Sequence, residues 1–187
     1  MLVDNNLDSV EQEIFCAVDE ALNESWKHYY AGRKVEGGQP WLTRRIKDKV
    51  GELGVSKGML VSSYGNEGEW LFDMVWYKED QDGYLTEVPM VLESEMSDRR
   101  MAGLKYDFEK LLVANAKYRV FICYYKTSTD FPDMVNLFNF FDTMVRSYTA
   151  LPNGARFLVL ICDDYGSGKL YFRSIVKDTT ITYPVVD

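Results

Sequence analysis

Acidic side chains close two neighbouring apolar runs of the chain. Asp73 ends the run 69–73, and Glu93 and Glu95 end the run 88–95. Both runs predict strands, and alternate side chains of a strand share a face, so Glu93 and Glu95 point the same way. If the two strands pair, Asp73 joins them at one end of the sheet. Three gathered carboxylates repel one another unless a cation lies between them, and such oxygen ligands favour Mg²⁺ or Mn²⁺. Acids that simply face water at strand ends are the alternative.

The elements that would position these acids follow the order α-α-β-β-β-α-β-α-β-β. Apolar residues at helical spacing predict four helices, over 7–30, 41–53, 104–115 and 134–148. Apolar or alternating runs predict six strands, over 59–64, 70–77, 88–95, 118–125, 156–162 and 169–176. We therefore predict an α/β fold in which a mixed β-sheet is flanked by helices. It forms a single domain, 1–187, with a helical N-terminal part (1–58) and a sheet core with crossover helices (59–187).

With the Asp-bearing strand, the strand that ends Glu-x-Glu and the helix that contains Asp107-Phe-Glu-Lys110, the chain resembles the PD-(D/E)XK nuclease superfamily. The resemblance covers roughly residues 7–165 and implies the restriction endonuclease-like α-β-β-β-α-β core. It implies a metal-dependent phosphodiesterase, a nuclease acting on DNA or RNA, in which Asp73 and Glu93 bind Mg²⁺ or Mn²⁺. The third motif position, usually lysine, is Glu95 here. Some active restriction enzymes of the superfamily also carry glutamate there, and Glu95 would orient or deprotonate the attacking water.

Two further positions are tied to this resemblance. Lys105 or Lys110 of the following helix would supply the missing amine, and Lys110 lies beside the apolar stripe of that helix, from which it could reach back over the sheet. A solvated lysine is the alternative. A glutamate of the first helix sometimes joins the site in this superfamily, and Glu13 and Glu20 are both candidates.

Charge is distributed unevenly along the chain. The net charge is −8, and residues 1–24 carry seven acids and no lysine or arginine. Residues 26–57 carry eight basic residues against three acids, with aromatic residues between them. Such a segment could follow a phosphate backbone and stack on bases. An ordinary solvated helix face is the alternative.

The remaining composition bears on compartment and partners. Cys16, Cys123 and Cys162 lack metal-ligand spacing, and His28 is the one histidine, which disfavours zinc. No transmembrane run or secretory signal is visible, so a cytoplasmic protein is expected. The expected partner is nucleic acid, with a homodimer implied by family analogy. The rival hypothesis is a catalytically inactive module of the same fold that binds a protein or nucleic-acid partner.

Overall fold

The computed structural model of the protein describes residues 7–30, 39–63, 68–97, 100–163 and 169–178. The helices are α1 (Ser9–Tyr30), α2 (Gln39–Ser56), α3 (Met101–Val113) and α4 (Met134–Ser147). The strands are β1 (Leu60–Val61), β2 (Met74–Glu79), β3 (Leu85–Glu95), β4 (Tyr118–Tyr125), β5 (Arg156–Asp163) and β6 (Leu170–Val176). This is the predicted order of elements.

The six strands form one mixed sheet in the order β1-β2-β3-β4-β5-β6. Pairing is antiparallel within β1-β2-β3 and between β5 and β6, and parallel within β3-β4-β5. The parallel pairs need crossovers, which α3 and α4 supply. The predicted α/β fold, a mixed sheet flanked by helices, is confirmed.

Each face of the sheet packs against a different pair of helices. On β3, Met90 and Leu92 belong to the cluster under α1 and α2, whereas Val91 belongs to the cluster under α3 and α4. Because side chains alternate along a strand, Glu93 falls on the α3 face and Ser94 on the α2 face. The sheet thus separates the environments of neighbouring residues at the end of β3.

The side chains of Asp8 and Glu11 cap the start of α1. Asp8 Oδ1 accepts hydrogen bonds from the backbone N–H groups of Val10 and Glu11, both at 2.9 Å, and Glu11 Oε2 accepts from Asp8 N at 3.1 Å. These reciprocal hydrogen bonds form a capping box. Glu11 is also 1% exposed and accepts from Arg156 Nη2, which ties α1 to the first residue of β5.

Two close packings fix the helices on the sheet. At Gly54 of α2, a Cβ atom would lie 2.5 Å from Nε1 of the buried Trp76 on β2. After β6, the buried Lys177 Nζ donates to the carbonyls of Val145, Arg146 and Tyr148, which end α4. The first packing requires the absence of a side chain at Gly54, and the second requires the long side chain of Lys177. Substitution of either residue is therefore expected to destabilise the fold.

Two of the three cysteines are buried in the sheet. Cys123 and Cys162 are buried in β4 and β5, Cys16 is exposed on α1, and all three are free thiols. Burial raises the pKa of Cys162 to about 12 and that of Cys123 well above its usual range. These two thiols are thus unreactive packing groups. Within the described part of the chain, no helix has the length and apolar character to cross a membrane.

Candidate active site

Glu93 is a buried carboxylate on the α3 face of β3. Its exposed fraction is 3%, Oε2 lies 3.1 Å from Lys110 Nζ, and Oε1 is buried without a hydrogen-bond partner among the described residues. Burial raises the pKa of Glu93 to about 7; the hydrogen bond from Lys110 opposes this rise and the nearby charge of Asp73 adds to it. Glu93 therefore resists ionisation unless more positive charge is brought to it.

Asp73 immediately precedes β2 and is held from the other face of the sheet. Its Oδ2 accepts from the backbone N–H of Ser94 at 2.7 Å and from Ser94 Oγ at 2.8 Å. Its Oδ1 lies 3.3 Å from Nζ of Lys47 on α2, and that ammonium lies closer to Glu69, at 2.6 Å. A contact of 3.3 Å is long for an ammonium–carboxylate hydrogen bond, so Oδ1 is only weakly engaged.

Glu95 belongs to a second acidic group on the α3 face. Its Oε1 accepts from the backbone N–H of Ser97 at 2.7 Å and from Ser97 Oγ at 2.8 Å. Burial raises the pKa of Asp107 on α3, and a hydrogen bond with Glu95 raises it further. Burial alone would lower the pKa of Lys110, yet its hydrogen bonds to Asp107, at 2.8 Å, and Glu93 raise it above the usual range. Lys110 thus links Glu93 to the Asp107–Glu95 pair.

The structure groups the predicted site residues differently from the expected triad. Asp73 is held from the α2 face, whereas Glu93 and Glu95 meet the α3 face. No group of three or more His, Cys, Asp or Glu residues that could hold a metal occurs in the described part of the chain. Lys110 does reach back to Glu93. Lys105 instead pairs with Glu109 on its own helix, at 3.6 Å.

The first-helix candidates lie outside this group. Glu13 pairs with Lys57 at 2.6 Å, and Glu20 pairs with Lys49 at 3.0 Å. The site also contains three residues that sequence analysis did not assign to it, Lys47, Ser94 and Asp107. Asp107 could have been found, because it stands three residues before Lys110 on a predicted helix and must neighbour it. Lys47 carries no local signal, since only the packing of α2 brings it to Asp73.

Acidic residues of α1 form ion pairs with basic residues in and next to α2. Lys49 of α2 pairs with two acids of α1, Glu20 at 3.0 Å and Glu24 at 3.1 Å. Lys57, the residue after α2, pairs with Glu13 of α1 at 2.6 Å. This pairing favours the solvated-face interpretation for the described part of the basic segment. Residues 31–38 of that segment lie outside the described residues.

Two oxygens of the site have capacity for a cation. Glu93 Oε1 has no hydrogen-bond partner among the described residues, and Asp73 Oδ1 has only the long contact with Lys47. Mg²⁺ is commonly held by one or two carboxylates, with water and substrate phosphate completing its shell. Carboxylate oxygens are the donor type that such a cation prefers, and Asp73 is near enough for its charge to raise the pKa of Glu93. Comparison with protein-family models, curated proteins and solved structures finds no match for this chain.

Proposed function

We propose that the chain is a metal-dependent phosphodiesterase that acts on nucleic acid, with its site at the end of the β2–β3 pair. The proposal is carried by the environment of the buried Glu93. One of its carboxylate oxygens accepts a hydrogen bond from Lys110, and the other has no partner among the described residues. Perturbed carboxylates of this kind are concentrated at functional sites. A structural ion pair would need only the first of these two oxygens.

In this proposal Asp73 and Glu93 hold the cation. When bound, Mg²⁺ or Mn²⁺ would polarise the phosphodiester and lower the pKa of a bound water. Ser94 fixes the orientation of Asp73 through two hydrogen bonds. Lys110 supplies positive charge beside Glu93, the place where the superfamily lysine would act, and Asp107 keeps that ammonium in position.

Glu95 has a supporting role in this arrangement. Its carboxylate is held by Ser97, and it shares a hydrogen bond with Asp107, so its orientation is fixed before a substrate arrives. A carboxylate fixed next to the cation site could accept a proton from the attacking water. This is the role that the Glu-x-Glu pattern predicts.

Calorimetric titration of Mn²⁺ into the protein tests the proposal without a guess about substrate. We expect one binding event for the wild type and its loss in Glu93→Gln, which keeps the shape of the side chain but removes its charge. Glu109→Gln is the matched control, because Glu109 is an exposed glutamate on α3. The titration is repeated with a short oligothymidylate present, since an ion can require substrate phosphate for tight binding.

A cleavage assay completes the test. Single-stranded and double-stranded DNA and RNA are incubated with the protein and Mn²⁺, and we expect cleavage of at least one that Glu93→Gln abolishes. The absence of Mn²⁺ binding by the wild type, with and without oligothymidylate, would refute the proposal. Equal binding by wild type and Glu93→Gln would refute the assignment of the site.

The second candidate is a non-catalytic module of the same fold that binds a partner. It is favoured by one observation: three of the four carboxylate oxygens of Asp73 and Glu93 already have partners in Lys47, Ser94 and Lys110. In that case the lysines replace the metal permanently. Absence of both Mn²⁺ binding and cleavage, with folding intact, is the expected result for this candidate.

A further inference from the structure

A groove beside the β2–β3 hairpin is lined by residues other than Asp73, Glu93, Glu95 and Lys110. It has a volume of about 400 Å³, in the range of cavities that hold ligands. Its walls include the side chains of Trp70, Tyr77 and Leu85, and its rim includes Glu69 and Glu79. We call it the hairpin groove.

Apolar surface is concentrated at and beside the hairpin groove. Trp70 is 49% exposed and Leu85 is 48% exposed, and the neighbouring Leu71 and Tyr84 are about 70% exposed. The rings of Trp70 and Tyr77 lie 5.8 Å apart at a tilt of 57°, which forms an aromatic wall. Exposed apolar clusters of this kind mark binding surfaces more often than ordinary surface does.

The charge around the hairpin groove is negative. Residues 78–87 contain four acids and one lysine, and that lysine, Lys78, is paired with Glu87 at 2.8 Å. Glu79 forms no ion pair with any described residue, and Glu69 is 63% exposed although it contacts Lys47. The groove therefore combines an aromatic wall with carboxylates that lack full compensation.

We propose that the hairpin groove binds a basic side chain, presented with neighbouring apolar residues by an extended segment of a protein partner. An arginine or lysine has an apolar stem that covers aromatic surface and a cationic head that is attracted to a ring face and to carboxylates. Nucleic acid and anionic lipid bring phosphates, which the acidic rim repels. The charge of the groove thus selects a basic peptide over these alternatives, and this inference does not depend on nuclease activity.

The test measures fluorescence anisotropy of a labelled heptapeptide of alternating leucine and arginine. A leucine–glutamate peptide of the same length and a labelled oligothymidylate serve as comparison probes. The variants are Trp70→Ala and Glu79→Gln, with Glu52→Gln as the control because it makes the same charge change at an exposed position of α2. Thermal unfolding of each variant checks that the fold is intact.

We expect the arginine peptide to bind the wild type and the Glu52→Gln control equally. Trp70→Ala and Glu79→Gln should each weaken binding by about threefold to tenfold, the range for one cation–π or one partly exposed charge contact. Absence of binding by the wild type would overturn the proposal, and so would binding that neither variant weakens. If the wild type binds oligothymidylate and Trp70→Ala removes that binding, the groove is a nucleic-acid site and the proposal is overturned as well.

Discussion

Raising the pH is expected to destabilise this protein through Glu93. Its pKa rises from the ordinary 4.5 to about 7 on folding, and each pKa unit is worth about 1.4 kcal/mol, so ionised Glu93 costs the folded state about 3 kcal/mol. Between these two values the folded protein holds a proton that the unfolded chain has released. The stabilisation is therefore complete below the ordinary value and is lost as pH rises through about 7.

The perturbation is Glu93→Gln, which removes the titration while it keeps the side chain's size. Lys110 faces Glu93 from α3 and limits the rise in its pKa, whereas Asp73 and Asp107 add to it. All three remain in the variant, so the comparison isolates Glu93. Urea unfolding, followed by tryptophan fluorescence in EDTA at about pH 5 and about pH 8.5, gives the free energy of unfolding at each pH.

We expect the free energy of unfolding of the wild type to fall, relative to that of Glu93→Gln, by about 2.5 kcal/mol between these two pH values. Glu109→Gln, the exposed control on α3, should follow the wild type. If Glu93→Gln shows the same pH dependence as the wild type, Glu93 does not carry a raised pKa. Its burial against Lys110 would then lack the consequence derived above.

Three further predictions concern single contacts. Gly54→Ala forces a Cβ against the buried indole of Trp76 and should lower the free energy of unfolding by about 1–3 kcal/mol. Gly68→Ala, which has open space at its Cβ, should leave that free energy unchanged. Equal urea midpoints for the two variants would contradict this prediction. Lys177→Met removes an ammonium that donates to three carbonyls at the end of α4 and should lower the free energy of unfolding by about 1–3 kcal/mol in the same assay. No loss would show that these carbonyls find other donors. Lys110→Met removes the cation that restrains the pKa of Glu93, so the pH at which stability is lost should rise above that of the wild type; an unchanged or lower pH would exclude the contact.

The order of elements could be predicted because the spacing of apolar residues within each short segment indicates a helix or a strand. The length of β1 and the residue at which β2 begins could not be predicted. Ser62 Oγ accepts a hydrogen bond from the backbone N–H of Val75 at 2.9 Å, and Ser63 adopts a φ of 60°, which turns the chain after two residues of strand. Neither serine marks the end of a strand by its residue type. The strand ends there because of the contact of Ser62 with Val75 and the backbone turn at Ser63.

The candidate site was predictable to the extent that it lies within one strand and one helix. Glu93 and Lys110 stand on adjacent elements of a β-α unit, and their contact follows from that connection. The position of Asp73 depends on Lys47, which is 26 residues away on α2. Sequence patterning placed Asp73 near the right strand end but could not show that it would be held from the opposite face.

The anchoring of the two lysines bears on the choice between the proposed enzyme and the non-catalytic module. If lysines had replaced a metal permanently, each would be expected to make its closest contact with a proposed metal ligand, Asp73 or Glu93. Lys47 instead lies closer to Glu69, at 2.6 Å, than to Asp73, at 3.3 Å, and Lys110 lies closer to Asp107, at 2.8 Å, than to Glu93, at 3.1 Å. A cation bound by Asp73 and Glu93 would therefore displace only the longer contact of each lysine, and each ammonium would keep its closer carboxylate partner. This asymmetry is the reason that we prefer the enzyme over the non-catalytic module.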